Sequence, residues 1–531
     1  MQRFFLIFLF ITCFSYSQEE HAWIYFKEKP NVEAALNDPS TILSAKAIQR
    51  KELRRTPIDE RDVPVNEEYI TIVKSRENIS VKAKSKWLNC VHVLGTVQDI
   101  SKLAELEFVS GIEFASNNLN SRASTEAQKI TNKLESNIDF SYGLAANQTE
   151  MLNTDYLHEN DYTGDGITIA VLDAGFPNVN TIGAFERLRS AGKLLGGYDF
   201  PNRSENYNNP ELSNHGTLVL SNMAGFIEGR FVGTAPGASY YLFRTEIGPT
   251  ETPVEETYWV EAVERADSLG VDLINTSLGY TLFDDPDYSY TPEDMDGETA
   301  FISRGANIAT EKGLLVVVST GNRGDEDYFK IIGAPADANV LSVGAVDKNG
   351  NYAAFSSLGP SADGRVKPDV SAQGLEIVAI DEFNNMVQAS GTSFASPILA
   401  GSVASFWQVD PSLTNLEVMQ LVREVSSLYS NPNINLGYGI PDFRDALSKL
   451  IENTENSEAL FLYQNPVENE LRFNNPTTQS YKVTLFDTLG RIILKREQVQ
   501  NEIDLSGFSR GIYIAMFEQN NSRQSFLIIK K

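Results

Sequence analysis

The central part of the chain, residues 151–450, alternates short apolar runs with amphipathic segments. The runs are nearly continuous in hydrophobic side chains, which is typical of strands buried on both faces. They comprise Ile167–Leu172, Tyr240–Phe243, Leu273–Ile274, Leu314–Val318, Val340–Val346 and Ile377–Ile380. Helical segments between such strands indicate parallel βαβ units, so we predict a three-layer α/β domain with helices on both faces of a parallel sheet. In these sheets ligands bind at the carboxyl ends of the strands, where we expect the functional residues.

Shorter segments of different character flank this block. Residues 18–120 combine strand-like runs with helical stretches and predict a small α+β unit. Its expected strands are Ala22–Phe26, Tyr69–Val73, Val91–Leu94 and Gly111–Phe114, and its expected helices lie near Ala45–Arg55 and Val97–Leu106. Residues 121–150 are polar and predict an exposed linker. Residues 451–531 contain short alternating strands separated by turn residues, which predicts a small β-sandwich.

Residues 1–17 have the layout of an export signal. Arg3 gives a positive start, Phe4–Phe14 supplies an apolar stretch, and Ser15 and Ser17 are the small residues that precede a cut before Gln18. The apolar stretch is shorter than the ~20 residues that a membrane-spanning helix needs. We therefore predict an exported chain without an integral membrane segment.

The distribution of charge excludes one class of partner. The chain has a formal net charge of −27, and residues 121–450 hold 45 acidic against 20 basic side chains. A block this acidic repels the phosphates of DNA and RNA. We therefore expect no nucleic-acid partner.

Three residues of the types used in nucleophilic catalysis occur at expected strand and helix ends. Asp173 ends an apolar run and precedes a turn, and His215, one of four histidines in the chain, opens an apolar helical segment. Ser393 lies in the segment GTSFASP, which predicts a helix N-terminus with proline in the first turn. Each of these residues alone is more typical of a cap, a turn or a structural histidine.

The combination of these residues is more informative than any one of them. A serine hydroxyl is a poor nucleophile and needs a base within hydrogen-bond reach, and the imidazole base needs a carboxylate that fixes its tautomer. Asn322 follows the run Leu314–Val318, where its amide could donate to the oxyanion of a tetrahedral intermediate. The sequence thus predicts nucleophilic catalysis by a serine.

On these blocks, the segment from about Tyr162 to Leu447 resembles the subtilisin-like serine proteases, or subtilases, in residue type, order and spacing. The resemblance implies that Asp173 supports His215, which acts as general base and then as general acid. It implies that Ser393 attacks the scissile carbonyl. The implied activity is that of a serine endopeptidase that cleaves polypeptide substrates through an acyl-enzyme.

The resemblance also implies how the substrate is held. Asn322 and the backbone N–H of Ser393 would bind the oxyanion. Ser277, Leu278 and Gly279 would pair with extended substrate as an added strand, and the alternative for this tripeptide is a plain strand end with a turn.

The chain departs from the family's pattern in the segment Glu246–Glu256. The family usually has a run rich in serine and glycine here, whereas this segment carries four carboxylates. We predict that they bias the cleft toward basic residues a few positions before the cut. The alternative is the solvated acidic start of a helix over Val254–Asp267, where carboxylates interact favourably with the helix dipole.

The flanking units resemble parts that accompany such proteases. Residues 18–120 resemble the subtilase propeptide, a chaperone and inhibitor that leaves by a cut in the linker. The tail carries Asn465-Pro466, the strand and turn Val483–Arg491, Leu505–Gly507 followed by Gly511-Ile-Tyr513, and a closing Lys530-Lys531. On these pieces residues 451–531 resemble the C-terminal sorting domains of the type IX secretion system. These resemblances imply a zymogen. It would be exported by means of its signal peptide, cross the outer membrane, and be secreted or kept at the cell surface. Its implied partners are its own propeptide and the type IX secretion machinery, and we expect a monomer.

The resemblance implies no required cofactor, although members of the family often bind calcium. Acidic runs at Asp284–Asp287, Glu293–Asp296 and Asp325–Asp327 offer the oxygens that calcium prefers. None of them has the spaced ligands and glycine of a calcium loop. We therefore assign no metal ligand and expect these runs to be solvated surface.

Two other functions stay open on the sequence. A non-catalytic surface binding module could keep the protease fold, and an uncut propeptide after folding would indicate it. An acyltransferase could use the same residues to join peptides, and transfer to an added amine would indicate that.

Overall fold

The computed structural model describes residues 19–116, 119 and 142–455 and, in the C-terminal region, residues 462, 467, 469–473, 475, 479–487, 491–519 and 522–530. The predicted signal peptide and residues 121–141 of the predicted linker lie outside the described residues. For the rest of that linker the prediction of an exposed segment was wrong, because Ala146–Glu150 form a helix in which Gln148 is buried and donates to Asn222 at 2.9 Å. The chain separates into two compact units, of which the first ends at Arg444 and the second begins at Asp445.

The N-terminal part of the first unit is the predicted small α+β fold. Its antiparallel strands are β1 (Glu19–Phe26), β2 (Ser80–Ser85), β3 (Cys90–Thr96) and β4 (Val109–Phe114), in the sheet order β2-β3-β1-β4. Its helices are α1 (Val32–Asn37), α2 (Ala45–Leu53), α3 (Glu67–Lys74) and α4 (Val97–Lys102). A core of aliphatic and aromatic side chains fills the space between the sheet and the helices α3 and α4.

The strand expected at Tyr69–Val73 was wrong, because these residues lie within α3. The side chain of Asn66 caps that helix by accepting a hydrogen bond from the backbone N–H of Glu68. Ile70 and Val73 are three positions apart and both reach the core, which is helical spacing. A five-residue apolar run fits either period, so only its packing partners decide between helix and strand.

The rest of the first unit is built on the predicted parallel sheet. Its strands are β5 (Thr168–Asp173), β6 (Leu194–Asp199), β7 (Phe226–Ile227), β8 (Phe231–Val232), β9 (Ser239–Arg244), β10 (Leu273–Thr276), β11 (Leu315–Ser319), β12 (Leu341–Val346), β13 (Val370–Gln373), β14 (Ile377–Ile380) and β15 (Met386–Ala389). Within the described residues, seven of these form one parallel sheet in the order β13-β12-β11-β10-β5-β9-β6.

One expected member of the parallel sheet was placed wrongly. β14 is a strand, but it pairs antiparallel with β15 in a separate hairpin. The sheet instead includes β6 and β13, which carry Gly, Ser and Gln among their apolar residues and so lack a continuous hydrophobic run. Which of these short strands joins the sheet is decided by its neighbours there, which the local sequence does not contain.

Helices cover both faces of the sheet. The helices of this unit are α5 (Ala146–Glu150), α6 (Thr154–Glu159), α7 (Glu186–Ser190), α8 (His215–Ala224), α9 (Val254–Leu269), α10 (Phe301–Glu311), α11 (Thr392–Trp407) and α12 (Asn415–Glu424), and α13 (Phe443–Glu455) begins at its last residues and belongs mostly to the second unit. Leu172, Ile274 and Val318 pack with side chains of α9 and α10 in one core cluster. Because side chains alternate along a strand, the intervening residues point to the opposite face, where α11 crosses β10 to β13.

The C-terminal unit is an antiparallel β structure. Its strands are β16 (Glu470–Arg472), β17 (Tyr481–Asp487), β18 (Ile492–Val499), β19 (Glu502–Asp504), β20 (Gly511–Gln519) and β21 (Ser522–Lys530). β18, β17, β20 and β21 form one sheet in that order, and β16 pairs with β19 in a second. Inward-facing side chains of both sheets, such as Leu471, Leu485 and Phe517, make one core, which confirms the predicted sandwich. Among the described residues no helix has both the length and the apolar character to cross a bilayer.

Residues 19–116 pack on α9 and α10 of the parallel-sheet domain. The Trp23 ring stacks on Phe301 with ring centroids 4.5 Å apart and planes 5° from parallel. On α9 the buried Glu264 carboxylate accepts hydrogen bonds from the Ser85 hydroxyl at 2.6 Å and from the backbone N–H groups of Lys86 and Trp87, each at 2.9 Å. This carboxylate therefore links the C-terminal end of β2 to α9 of the parallel-sheet domain.

Glu264→Ala should lower the melting temperature of the full chain by several degrees, because two buried N–H groups lose their acceptor at ~1–3 kcal/mol each. Thermal unfolding would be measured on a chain that also carries Ser393→Ala, so that the predicted nucleophile cannot cut it. Glu228→Ala, at an exposed position, is the control and should leave the melting temperature unchanged. Equal melting of both variants would contradict this role of Glu264.

Candidate active site

Three of the predicted functional residues meet at one edge of the parallel sheet. Asp173 is the last residue of β5, Ser277 directly follows β10, and Asn322 lies three residues beyond the end of β11. β10 pairs in parallel with both β5 and β11. Since parallel strands end at the same edge, the three residues lie side by side there.

His215 reaches this edge as the first residue of α8. Its ring Nδ1 lies 2.8 Å from Oδ1 of Asp173, a buried carboxylate that also accepts from the backbone N–H of Ala174 at 2.7 Å. Gly216 permits this approach, because a Cβ there would lie 2.5 Å from the carbonyl oxygen of Gly175 and 2.9 Å from Cβ of Asp173. Any larger residue at position 216 would push the helix away from the carboxylate.

The surroundings of His215 favour its protonated form. Burial of the ring lowers its pKa, but the charge of Asp173 and the hydrogen bond to it act in the opposite direction. Their combined effect is larger, so the pKa of His215 is raised above its ordinary value of 6.5. A base of this kind is poised to take a proton at neutral to alkaline pH.

Ser393 lies in the first turn of α11. Gly391, the residue before the helix, has a φ of 151°, a backbone conformation that favours glycine. Pro397 is the sixth helical residue, so the expectation that proline lies in the first turn was wrong by one turn. Proline has no N–H, and the carbonyl of Ser393, four residues earlier, accepts from the Ser277 hydroxyl at 2.8 Å instead.

The same two serines make a second contact, in which the Ser393 hydroxyl donates to the carbonyl oxygen of Ser277 at 3.1 Å. Asn275, a fully buried residue that we did not predict, supports this arrangement. Its amide donates to the Ser277 hydroxyl at 3.2 Å and accepts from the Ser396 hydroxyl at 3.0 Å. Asn275 thus fixes β10 against α11, and its place among apolar strand residues was the signal that could have identified it.

The amide of Asn322 is oriented by the residue next to Ser393. Its oxygen Oδ1 accepts hydrogen bonds from the backbone N–H of Thr392 at 2.9 Å and from the Thr392 hydroxyl at 3.0 Å. The amide nitrogen is therefore turned away from these donors. The residue is exposed at the cleft, so its N–H₂ group is available to an oxyanion.

A cleft borders these residues. Its lining includes Ser277, Leu278 and Gly279 together with Glu251, Thr320, Asn322, Arg323, Glu326 and Ser393. In the part of the chain that the structure describes, the backbone groups of Leu278 and Gly279 make no hydrogen bond to another segment. An extended peptide could pair with them as an added strand.

The four carboxylates of Glu246–Glu256 have different surroundings. Glu246 accepts a hydrogen bond from the Tyr280 hydroxyl. Glu255 accepts from two backbone N–H groups, at 2.6 and 2.7 Å, and Glu256 accepts from the Tyr290 hydroxyl at 2.9 Å. Glu255 and Glu256 are fully buried, so the alternative of a solvated helix start was wrong, although the helix itself is present as α9.

Glu251 is the carboxylate of this segment that lines the cleft. Burial and the neighbouring charges of Glu255 and Asp284 raise the pKa of Glu251 to about 7, against a smaller opposing effect of Arg323. Arg323 itself donates to Glu326 at 2.6 Å. At this side of the cleft the carboxyl groups of Glu251 and Glu326 thus outnumber the single guanidinium group of Arg323.

The acidic runs considered for calcium do not converge on a common point. Within the described residues, no group of three or more His, Cys, Asp or Glu side chains could hold a metal ion. Asp285, Asp294 and Asp296 accept hydrogen bonds from N–H groups of their own loops instead. No calcium ligand is therefore assigned in these runs, and calcium binding stays a prediction.

Comparison with known protein families gives three matches along the chain. The model of the subtilase family, peptidase S8, matches residues 164–440. The peptidase S8 propeptide domain of Bacteroidota matches residues 21–132. The secretion system C-terminal sorting domain matches residues 462–531.

Curated relatives are similar over the same central region. Subtilisin DY of Bacillus licheniformis is 29% identical over 54% of this chain and 93% of its own length. Subtilisin-like protease SBT6.1 of Arabidopsis thaliana is 28% identical over 58% of this chain, and serine protease AprX of Bacillus subtilis is 28% identical over 52%. The matches span only 28% of SBT6.1 and 64% of AprX.

Asp173→Asn should lower kcat by about 10⁴-fold, because a neutral amide can neither hold the required His215 tautomer nor stabilise its charged form. For the unmodified chain, kcat/KM should fall as the pH drops through the raised pKa of His215, with a midpoint above 6.5. The variant's midpoint should lie lower, since the carboxylate that raises this pKa is gone.

Peptide hydrolysis between pH 5 and 9 would test both expectations, with the exposed Asp161→Asn as the control. A rate that is independent of pH from 5 to 8 would contradict the assignment of His215 as the base.

Proposed function

The chain belongs to the subtilase family of serine endopeptidases, and on this premise we propose that it hydrolyses peptide bonds with Asp173, His215 and Ser393 as its catalytic residues. The observation that carries the proposal is the Asp173–His215 hydrogen bond at the sheet edge where Ser393 also lies. Three residues from distant parts of the sequence lie at this edge, and they supply the nucleophile, the base and the carboxylate that acyl transfer requires.

In the first step the Ser393 hydroxyl turns from the carbonyl of Ser277 toward Nε2 of His215. Its oxygen forms a bond to the carbonyl carbon of the substrate while its proton passes to His215. Asp173 accepts the hydrogen bond from Nδ1 and stabilises the imidazolium that results. The oxyanion of the tetrahedral intermediate accepts hydrogen bonds from the Asn322 amide and the Ser393 backbone N–H.

The intermediate then collapses. The C–N bond breaks, and His215 gives its proton to the leaving amine, so that an acyl-enzyme on Ser393 remains. A water molecule gives a proton to His215 as its oxygen attacks the ester carbonyl. The C–O bond to Ser393 then breaks, His215 returns the proton to the Ser393 oxygen, and the carboxylic acid product leaves. Leu278 and Gly279 hold the substrate in place during both steps by pairing with its backbone.

The other parts of the chain fit an exported zymogen. The chain carries a propeptide of the S8 type and a C-terminal sorting domain, which directs it to the cell surface or the medium. We place the signal peptide at residues 1–17, the propeptide at 18–120, the maturation linker at 121–141, the peptidase at 142–450, since α5 packs within it, and the sorting domain at 451–531. In this proposal the propeptide keeps a monomeric peptidase silent until a cut in the linker, after which polypeptides outside the cell are the substrates.

A fluorophosphonate should label the processed protein once, on Ser393, because only an activated serine reacts with it. Intact mass before and after labelling, with peptide mapping of the adduct, should also show the loss of about the first 120 residues. Ser393→Ala should lower turnover by about 10⁶-fold while leaving the melting temperature unchanged.

A folded chain that takes no adduct and keeps its propeptide would favour the non-catalytic binding module. A labelled enzyme that forms new peptide bonds with an added amine would identify the acyltransferase.

The charge of the cleft gives the proposed substrate class. Glu251 lines the cleft, whereas Glu246, Glu255 and Glu256 are bonded within the fold. We therefore narrow the prediction for the acidic segment to Glu251, which would attract a lysine or arginine side chain a few positions before the cut.

Glu251→Gln should reduce kcat/KM about fivefold for peptides with Lys or Arg at that position and leave neutral peptides unchanged, since a part-exposed ion pair contributes about 1 kcal/mol. In the unmodified enzyme the preference should grow between pH 6 and 8, because the pKa of Glu251 is about 7 and its charge forms over this range. A mixed peptide library would measure both effects. Asp325→Asn, at an exposed position outside the cleft lining, is the matched control, and an unchanged preference in Glu251→Gln would contradict the assignment.

A further inference from the structure

Away from the cleft, the propeptide inserts basic side chains into a buried acidic pocket of the peptidase. The pocket, which we call the α2 pocket, consists of Asp267, Asp272, Trp407 and the carbonyl groups of Val271, Lys312 and Pro411. The side chains that fill it are Arg50, Lys51 and Arg54 of α2, each no more than 3% exposed.

Arg54 makes the most specific of these contacts. Its guanidinium lies over the Trp407 ring, 3.9 Å from the ring centroid, and Nη1 is 2.8 Å from Oδ1 of Asp272. Its Nε donates to the carbonyl oxygen of Pro411 at 3.0 Å. A flat cation with several N–H donors matches a ring, a carboxylate and a carbonyl together, which an ammonium group does not.

Arg50 and Lys51 fill the neighbouring part of the pocket. Arg50 pairs with the Asp267 carboxylate and donates to the carbonyl oxygens of Val271 and Lys312. Nζ of Lys51 is 3.0 Å from Oδ1 of Asp267. The peptidase thus offers acceptors, and the propeptide supplies the donors.

The α2 pocket is separate from the catalytic cleft. Asp272 directly precedes β10, whereas Ser277 directly follows it, so the pocket and the cleft lie at opposite ends of the same strand. Five residues of extended chain span roughly 16 Å. A ligand in the α2 pocket therefore does not need the cleft to bind.

Departure of the propeptide would leave the pocket's carboxylates without most of their cations. Arg50, Lys51 and Arg54 all belong to the propeptide region, and so does Lys46, which lies 3.6 Å from Asp272. Lys312 is the cation that the peptidase itself contributes to this network, and it contacts Asp59 and Asp62 of the propeptide. Uncovered carboxylates, carbonyl oxygens and an indole face form a surface that attracts arginine.

We propose that the α2 pocket is a second binding site of the mature enzyme, which takes arginine side chains of basic segments in protein substrates. The inference rests on the proposed function, because the pocket is uncovered only when the propeptide leaves. Substrates held there would reach the cleft at a raised local concentration.

The test uses the self-processed enzyme, labelled on Ser393 with fluorophosphonate so that it cannot digest the probe. The probe is a fluorescein-labelled peptide with the sequence of Ser44–Thr56, and binding is measured by fluorescence anisotropy. Saturable one-to-one binding is expected. A peptide with Arg54→Lys should bind about tenfold more weakly, since lysine keeps the charge but loses the stacked, forked contact.

The matched control is a peptide with Arg55→Lys, because Arg55 is exposed beside Arg54. It should bind within about twofold of the unmodified peptide. Equal affinity of the two substituted peptides would overturn the proposal, since it would mean that position 54 makes no contact that the exposed position 55 lacks. Asp272→Asn in the enzyme should also weaken binding of the unmodified peptide. If that variant does not fold, the comparison of the Arg54→Lys and Arg55→Lys peptides still tests the proposal.

Intact mass separates failure of this inference from failure of the proposed function. An enzyme that carries the adduct, has lost its propeptide and binds no peptide refutes the α2 pocket as a binding site and leaves the protease assignment intact. A chain that takes no adduct and keeps its propeptide refutes the proposed function and the inference with it.

Discussion

Backbone hydrogen bonds hold β5, β10 and β11 in parallel register, so the three strands end at one edge of the sheet. Asp173, Ser277 and Asn322 come from distant parts of the sequence, yet this pairing sets them side by side. α8 and α11 begin at the same edge, which brings the first-turn residues His215 and Ser393 to it. The functional residues can move little without disturbing strands that are buried on both faces, and this is a physical basis for a rigid site.

Two irregularities in regular structure provide hydrogen bonds between α11 and the end of β10. Pro397 removes one hydrogen bond from α11, and the carbonyl of Ser393 that is released binds the Ser277 hydroxyl. Asn275 puts an amide inside a buried strand, where it ties Ser277 to Ser396. Each polar group in this chain of contacts has a partner, so a buried polar network positions Ser393 without unsatisfied groups.

The sequence predicted the α/β class, the small α+β unit, the C-terminal sandwich and the family, and these predictions are confirmed. It was wrong where a short run fits two structures: Tyr69–Val73 is helical, and Ile377–Ile380 forms a hairpin outside the parallel sheet. The sequence also left Glu255 and Glu256 either to the cleft or to solvent, whereas both carboxylates are buried and hydrogen-bonded within the fold. Composition counts charges but does not tell which of them the fold encloses.

The sequence by itself determined the hydrophobic runs of the strands and the three motifs around Asp173, His215 and Ser393, because each run and each motif consists of residues that are neighbours along the chain. Only the tertiary structure decided that Glu251 is the carboxylate of the Glu246–Glu256 segment that lines the cleft, and that Trp407 and Asp272 form a pocket for Arg54. Trp407 lies 353 positions from Arg54 in the sequence. Contacts over such separations depend on how whole layers pack, and no local pattern records them.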